Sequence, residues 1–291
     1  MAIVLVATVL VLFATHAMPA SAHWRDFTWL RRWQEQVGSP GGELTGLIIC
    51  IGAPVLACAL VQYVLRGTWL GLTSLVFAII VLFYCWGPRD LERDVEAVDK
   101  APDSDRRAAA LQALRADATQ PPLEFTTEKV VEATFLAALR RWFGVLLWFA
   151  LLGPAGALLY RLTQVLAGPD FAATQSAGQR AAAEQAARIL DWLPAHLIVL
   201  ALALASDFDA VFKVWRDYHA AHGKGFFSFD LGFLNATARA SVAADVAAEG
   251  DESHAARAPL VALDDAMVLV RRVLIVWLTV IALIVLGGWF A

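Results

Sequence analysis

The chain has 291 residues, a formal net charge of −4, and a composition that is 59% hydrophobic and only 17% charged. A soluble domain of this size rarely carries so much apolar surface, and a mildly acidic chain whose long loops mix both signs gives no support to nucleic-acid binding. The class expected is all-α: a polytopic helical membrane bundle with four strong spans, two short apolar segments and helical loops.

The first segment, residues 2–14, is apolar but makes only about 20 Å of helix at 1.5 Å per residue. The sequence Pro19-Ala20-Ser21-Ala22 behind it looks like a secretory cleavage site, yet no Lys or Arg precedes the apolar core. An uncleaved anchor is therefore expected, with residues 1–43 forming the anchor and an amphipathic interfacial segment. Next come two uncharged runs, 45–65 and 67–88, separated by the single residue Arg66. Each is long enough to cross a ~30 Å hydrocarbon core, so residues 44–86 read as a transmembrane hairpin.

Residues 87–141 read as a cytoplasmic helical module. Gly87-Pro88 ends the membrane helix, a charged helix runs to about Lys100, Ser104 caps a second helix over 105–118, and Thr126 or Thr127 caps a third that leads into the membrane. Residues 142–212 hold a third span (142–160), an external loop and a short apolar segment (193–205). Residues 213–272 form a second cytoplasmic module, with a Gly-rich aromatic patch at 223–229, an Ala-rich helix over 234–249 and a long final helix opening at Pro259. The last span, 273–291, follows Arg271 and Arg272.

Charge sets the orientation. Three basic residues lie in 15–43, nine in 87–141 and seven in 213–272, against Arg66, Arg161, Arg180 and Arg188 on the other side. The positive-inside rule makes the long loops cytoplasmic. The three cysteines all fall in apolar runs, so neither a disulfide framework nor a thiolate zinc site is expected. Several of the eleven tryptophans mark run ends as an interfacial belt.

Few residues carry a chemical signal of their own. His219 and His222, with Asp217, have the spacing to share a metal, but a solvated polar face is the commoner outcome. Asp90, Glu92, Asp94 and Glu96 beside Arg89 and Arg93 can hold Mg²⁺ with a phosphate or simply pair along the helix. Asp191 reads as an N-cap, with Pro194 in the first turn. His196 is an ionisable group just inside an apolar run, where such a group is a functional candidate by default. No Walker loop, nucleophile elbow or HExxH is present, so no catalytic residue, metal or cofactor is expected.

An ordered set of pieces resembles the AmpE family: Gly87-Pro88-Arg89-Asp90-Leu91, Arg140-Arg141-Trp142-Phe143, 152–162 (Leu-Gly-Pro-Ala-Gly-Ala-Leu-Leu-Tyr-Arg-Leu), 191–197 (Asp-Trp-Leu-Pro-Ala-His-Leu), and Asp265-Ala266-Met267 through Arg271-Arg272. That resemblance implies a multi-pass protein of the bacterial inner membrane, regulatory rather than enzymatic, linked to β-lactamase induction and peptidoglycan recycling. The partners it implies are the lipid bilayer and either a cytoplasmic anhydromuropeptide amidase or an anionic small molecule. The ligand site expected on this reading comprises Arg89, Asp90, Asp94, Arg140, Arg141, Asp191 and His196, since arginine forks suit carboxylates and phosphates.

The AmpE pattern is in turn similar to the CobD/CbiB membrane synthases of cobalamin assembly, which join a corrinoid carboxylate to an aminopropanol phosphate through an amide. The alternative is thus a divergent synthase. The synthases' Glu-Asn and Asp-Gly stand roughly where this chain has Leu139-Arg140 and Phe143-Gly144, and their Asn-Thr-x-Asp-Ser where it has Gln164 and Val165. Their Pro-Ala-Arg-Leu appears as Pro194-Ala195-His196-Leu197.

Overall fold

A computed structural model describes residues 2–17, 25–38, 42–66, 71–87, 90–115, 122–172, 174–222, 229–248 and 259–287. The helices in chain order are α1 (Ala2–Ala17), α2 (Thr28–Val37), α3 (Glu43–Val64), α4 (Leu72–Cys85), α5 (Leu91–Asp99), α6 (Ser104–Leu111), α7 (Thr127–Ala138), α8 (Gly144–Leu152), α9 (Pro154–Leu166), α10 (Ala177–Ala205), α11 (Phe208–His222), α12 (Gly232–Ala248) and α13 (Pro259–Leu286). A five-residue π-helical segment, Leu139–Phe143, joins α7 to α8. Four helical stretches are long and apolar enough to cross a membrane: Glu43–Val64, Thr127–Leu152, Ala177–Ala205 and Pro259–Leu286. The protein is an all-α polytopic membrane protein.

The distribution of apolar length differs from the sequence runs at three places. The run 67–88 yields only the 14-residue α4, about 21 Å long. The run 193–205 is the C-terminal part of the 29-residue α10. The polar first half of that helix hides its continuity from a hydropathy reading, and Glu184 offsets its charge there by pairing with Arg180 at 3.0 Å and Arg188 at 3.9 Å. The run 142–160 is not one straight helix. It breaks at Gly153, which takes φ 71°, a left-handed conformation that glycine adopts without a Cβ penalty, and Pro154 then occupies the first turn of α9.

The chain divides into two compact units. In the first, residues 1–88, 144–190 and 281–291, α9 packs against α3, α4 and α8, α1 lies on α4, and α2 lies on α3. The α8–α9 turn allows a very close approach: a Cβ on Gly144 would stand 2.1 Å from Tyr160 Cζ, and one on Gly156 2.1 Å from the Trp148 carbonyl oxygen. Backbone groups freed by the break are met by one side chain. Gln62 Nε2 donates to the Leu152 carbonyl at 3.4 Å and Gln62 Oε1 accepts from Ala155 N–H at 3.3 Å, the kind of internal satisfaction an apolar medium demands.

At the opposite end of α3, Phe27, Leu30, Leu47, Cys50 and Ile51 form one apolar cluster with Leu162, Leu166, Phe171 and Ala183. Ser176 Oγ donates to Glu43 Oε1 at 2.7 Å. Thr28 gives both its hydroxyl and its N–H to Asp26, and these bonds hold the Asp26 carboxyl below its usual range. The sequence analysis put residues 15–43 and 161–190 on opposite faces of the membrane. Because the chain turns back at Gly153, the structure brings 27–51 and 162–183 to one end of the unit.

The second unit, 89–143 and 191–280, holds α5 on α6, α12 on α7, and α11 on α12. Its caps follow local chemistry. Asp90 Oδ1 accepts from Glu92 N–H at 3.1 Å and opens α5. Asp103, rather than Ser104, caps α6, accepting from Arg106 N–H at 2.7 Å, since a carboxylate one residue earlier reaches the same orphan donors. Thr126 caps α7, Asp207 Oδ1 accepts from Ala210 N–H at 3.0 Å at the start of α11, and Pro259 opens α13. Of the aromatic patch at 223–229, residues 223–228 lie outside the described residues, and Phe229 is exposed.

The turn at Gly153 has a direct test. In intact inverted and right-side-out vesicles, a membrane-impermeant maleimide should label Glu35→Cys and Ala177→Cys from the same side and Tyr63→Cys from the other. Labelling of positions 35 and 177 from opposite sides would contradict it.

Candidate functional site

Six of the seven residues singled out from the sequence lie in the second unit among described residues; Arg89 lies outside the described residues. Two of the six, Arg140 and Arg141, sit on the π-helical segment. A π turn admits one extra residue and so changes which faces successive side chains occupy, a distortion found disproportionately at functional positions. Each arginine has its own carboxylate. Arg141 Nη1 donates to Asp94 Oδ2 at 2.7 Å and its Nη2 to the Ala113 carbonyl at 2.6 Å. Arg140 Nε donates to Asp191 Oδ2 at 3.3 Å.

Burial makes these pairs matter. Asp191 is fully buried, Asp94 is 6% exposed and Arg141 9%, whereas the Arg140 side chain is 27% exposed. Charges cut off from water are tolerated only when paired and hydrogen-bonded. An arginine fork that holds a carboxylate with one nitrogen and a carbonyl with another is the geometry that meets this need. At the rim of the same unit the pairs are of the weaker kind: Arg271 with Glu92 at 3.0 Å, and Arg239 with Glu128 at 3.2 Å and Glu132 at 3.3 Å.

Asp191 corrects the sequence reading. It is not an N-cap, because α10 begins at Ala177 and passes straight through it, with Pro194 inside the helix. Its carboxylate is committed to Arg140. Asp90, half-buried, stands as the cap of α5. His196, one turn beyond Trp192, donates through Nδ1–H to the Trp192 carbonyl at 2.8 Å, since a carbonyl can only accept. That Nε2 is buried without a hydrogen-bond partner. Around the ring stand Phe233 at 4.3 Å, Trp192 at 4.6 Å, His219 at 5.9 Å and Trp215 at 6.1 Å between centroids. Asp191 and His196 are five residues apart on one helix, about 7.5 Å along its axis.

Among the described residues no three His, Cys, Asp or Glu side chains are grouped to hold a metal ion. The acidic residues of α5 do not converge: Asp94 turns inward to Arg141, Glu92 pairs with Arg271, and Glu96 pairs with Lys100.

The sequence reading missed the arginines of the first unit. Arg161 is 3% exposed and donates through Nε to the Cys85 carbonyl at 2.6 Å. Arg25, 7% exposed, donates through Nη1 to the Gly87 carbonyl at 2.9 Å and lies 4.7 Å from the Phe83 ring centroid. Together they cap the carbonyl end of α4, where cations suit the helix dipole. The available signal was the isolation of Arg161 in an otherwise uncharged stretch.

Compared with known proteins, the chain matches the family described as CobD/Cbib protein over residues 5–253. It belongs to that family of membrane proteins. No curated protein and no solved structure matches it. The family match overturns the AmpE reading: a regulatory role in β-lactamase induction, the link to peptidoglycan recycling and the amidase partner have no support, and the resemblance that survives is the one to the cobalamin-assembly proteins.

The Arg141–Asp94 pair gives a measurable expectation. Arg141→Met or Asp94→Leu alone strands a buried charge and should destabilise the detergent-solubilised protein by about 3–5 kcal/mol. The double substitution should cost less than the sum of the two, with a coupling above about 1 kcal/mol in a thermal-unfolding cycle. Additive losses would show that the two groups do not depend on each other.

Proposed function

We propose that this chain is a divergent membrane enzyme of corrinoid assembly, working in the cytoplasmic membrane of a bacterium with its long loops on the cytoplasmic side. Its reaction, on this reading, joins a carboxylate of a corrinoid to the amine of an amino-alcohol phosphate. The observation that carries it is the pair of adjacent arginines on a π turn, each bound to a buried carboxylate, inside the stretch that matches the family.

The roles divide by exposure. Arg140 is the member a substrate can reach, and its guanidinium suits the carboxylate or phosphate that both substrates carry. Arg141, Asp94 and Asp191 are positioning residues: they fix the arginines and keep the site's charge balanced before substrate arrives. His196 stands where the related synthases have arginine, so this chain offers an imidazole in place of a guanidinium there. Its acidic groups also come from positions other than the synthases' motifs, from Asp94 on α5 and Asp191 on α10. Amide formation from a carboxylate and an amine releases water and needs an activated acyl group, so the assay supplies a nucleoside triphosphate with Mg²⁺.

Purified protein in detergent or nanodiscs should convert cobyric acid and aminopropanol phosphate into the amide, detected by its mass. Arg140→Lys, which keeps a cation beside the buried Asp191 but loses the planar fork, should lower kcat/KM at least 10-fold while the thermal midpoint stays within a few degrees of wild type. Absence of the amide from the wild-type reaction, with a bona fide synthase active in parallel, would overturn the proposal.

A further inference from the structure

Away from the arginines, the second unit exposes an apolar strip at the end of α10 and the start of α11. Leu200 and Leu204, one turn apart on α10, are 46% and 69% exposed, and Phe208 and Phe212, at the same spacing on α11, are 52% and 39% exposed. The two phenylalanine rings stack on each other, 5.8 Å between centroids and 7° from parallel. They are not what holds α11 in the unit. Val211 and His219 are its buried residues, Trp215 and His219 turn to His196, and His219 also meets Phe233. A contiguous apolar patch left on the outside of a fold marks a docking surface.

Continuity with α10 identifies the partner. That helix is long and apolar enough to cross a membrane, and an outward leucine on a spanning helix meets acyl chains as apolar as itself. Phe208 and Phe212 carry the same face on past Ser206 and Asp207. The helix that bears them does not cross. Its 15 residues make only about 22 Å, short of a ~30 Å hydrocarbon core, and they include Asp209, Lys213, Arg216 and Asp217. All four of these are exposed, and Arg216 follows Phe212 by one turn. An apolar strip bordered by charged residues is the pattern of a helix lying in the plane of the membrane surface, where basic side chains lay their stems over apolar surface and reach the headgroups. The two acids balance the two bases, and Arg216 pairs with Asp217 at 3.7 Å, so attraction to anionic lipid is not what seats it.

We infer that α11 is a membrane-surface helix, seated by the stacked Phe208 and Phe212 at the boundary of headgroups and acyl chains in a bilayer of any headgroup charge. The module that follows α10 thus begins on the bilayer instead of standing free of it.

The test is photo-crosslinking of the full-length protein in nanodiscs of phosphatidylcholine alone and of phosphatidylcholine with phosphatidylglycerol. Phe208→p-benzoylphenylalanine and Phe212→p-benzoylphenylalanine keep an aromatic ring at exposed positions, and lipid adducts are read by mass. Ile275→p-benzoylphenylalanine, at an outward position of the final span, is the lipid-facing reference, and Asp217→p-benzoylphenylalanine is the polar-face control. Positions 208 and 212 should give adduct yields near that of position 275 and several-fold above that of position 217, equally in both lipid mixtures. Yields no higher than at position 217 would overturn the inference. So would covalent dimers in place of lipid adducts, which would make a second copy the partner, or yields that rise several-fold with phosphatidylglycerol. The two phenylalanine positions report independently, so one that does not fold leaves the other to decide.

Discussion

Buried arginines and buried carboxylates organise this molecule. A guanidinium buried in an apolar bundle must be met by oxygens of the protein, as those of Arg25, Arg141 and Arg161 are, and the partly exposed Arg140 meets the buried Asp191. In the first unit the oxygens are the backbone carbonyls of Cys85 and Gly87; in the second they are the carboxylates of Asp94 and Asp191. The first arrangement ends a helix. The second builds a charged constellation whose members are costly to keep and costly to break, since removing either partner leaves a charge without compensation.

The neighbouring irregularities bear on the same constraint. The π segment at Leu139–Phe143 places two consecutive arginines in one unit with separate carboxylate partners. The turn at Gly153 sends α9 back beside α8, which carries Arg161 to the carbonyl end of α4. Gln62, a polar residue near the far end of an apolar helix, is explained by the same break, because it bonds to both sides of it.

Much of the architecture was legible as hydropathy. Apolar length identified α3 and the final span, and helix-start chemistry located Pro259 and narrowed the start of α7 to Thr126 or Thr127. What stayed hidden is physical in each case. The first half of α10 is polar, its charges offset by pairs one turn apart, so an apolar window saw only 193–205 and made Asp191 a cap instead of a buried ion-pair partner. The turn at Gly153 lies in an unbroken apolar run, and only the Gly-Pro pair hinted at it. The candidate site was legible as a set of residue types, arginines and acids flanking apolar runs, but their pairing was not, because Arg140 and Asp191 are 51 residues apart. Kinship was legible only as far as a group of related membrane proteins, and the branch chosen within it was the wrong one.

On the proposed function, a corrinoid meets the arginine constellation. The most direct measurement is a corrinoid titration of the purified protein, followed by the shift of the visible absorption of the corrin ring. Saturable binding by wild type, weakened at least 10-fold in Arg140→Lys at unchanged thermal stability, is the result predicted. No spectral shift with wild type, or equal affinity in the variant, would contradict it.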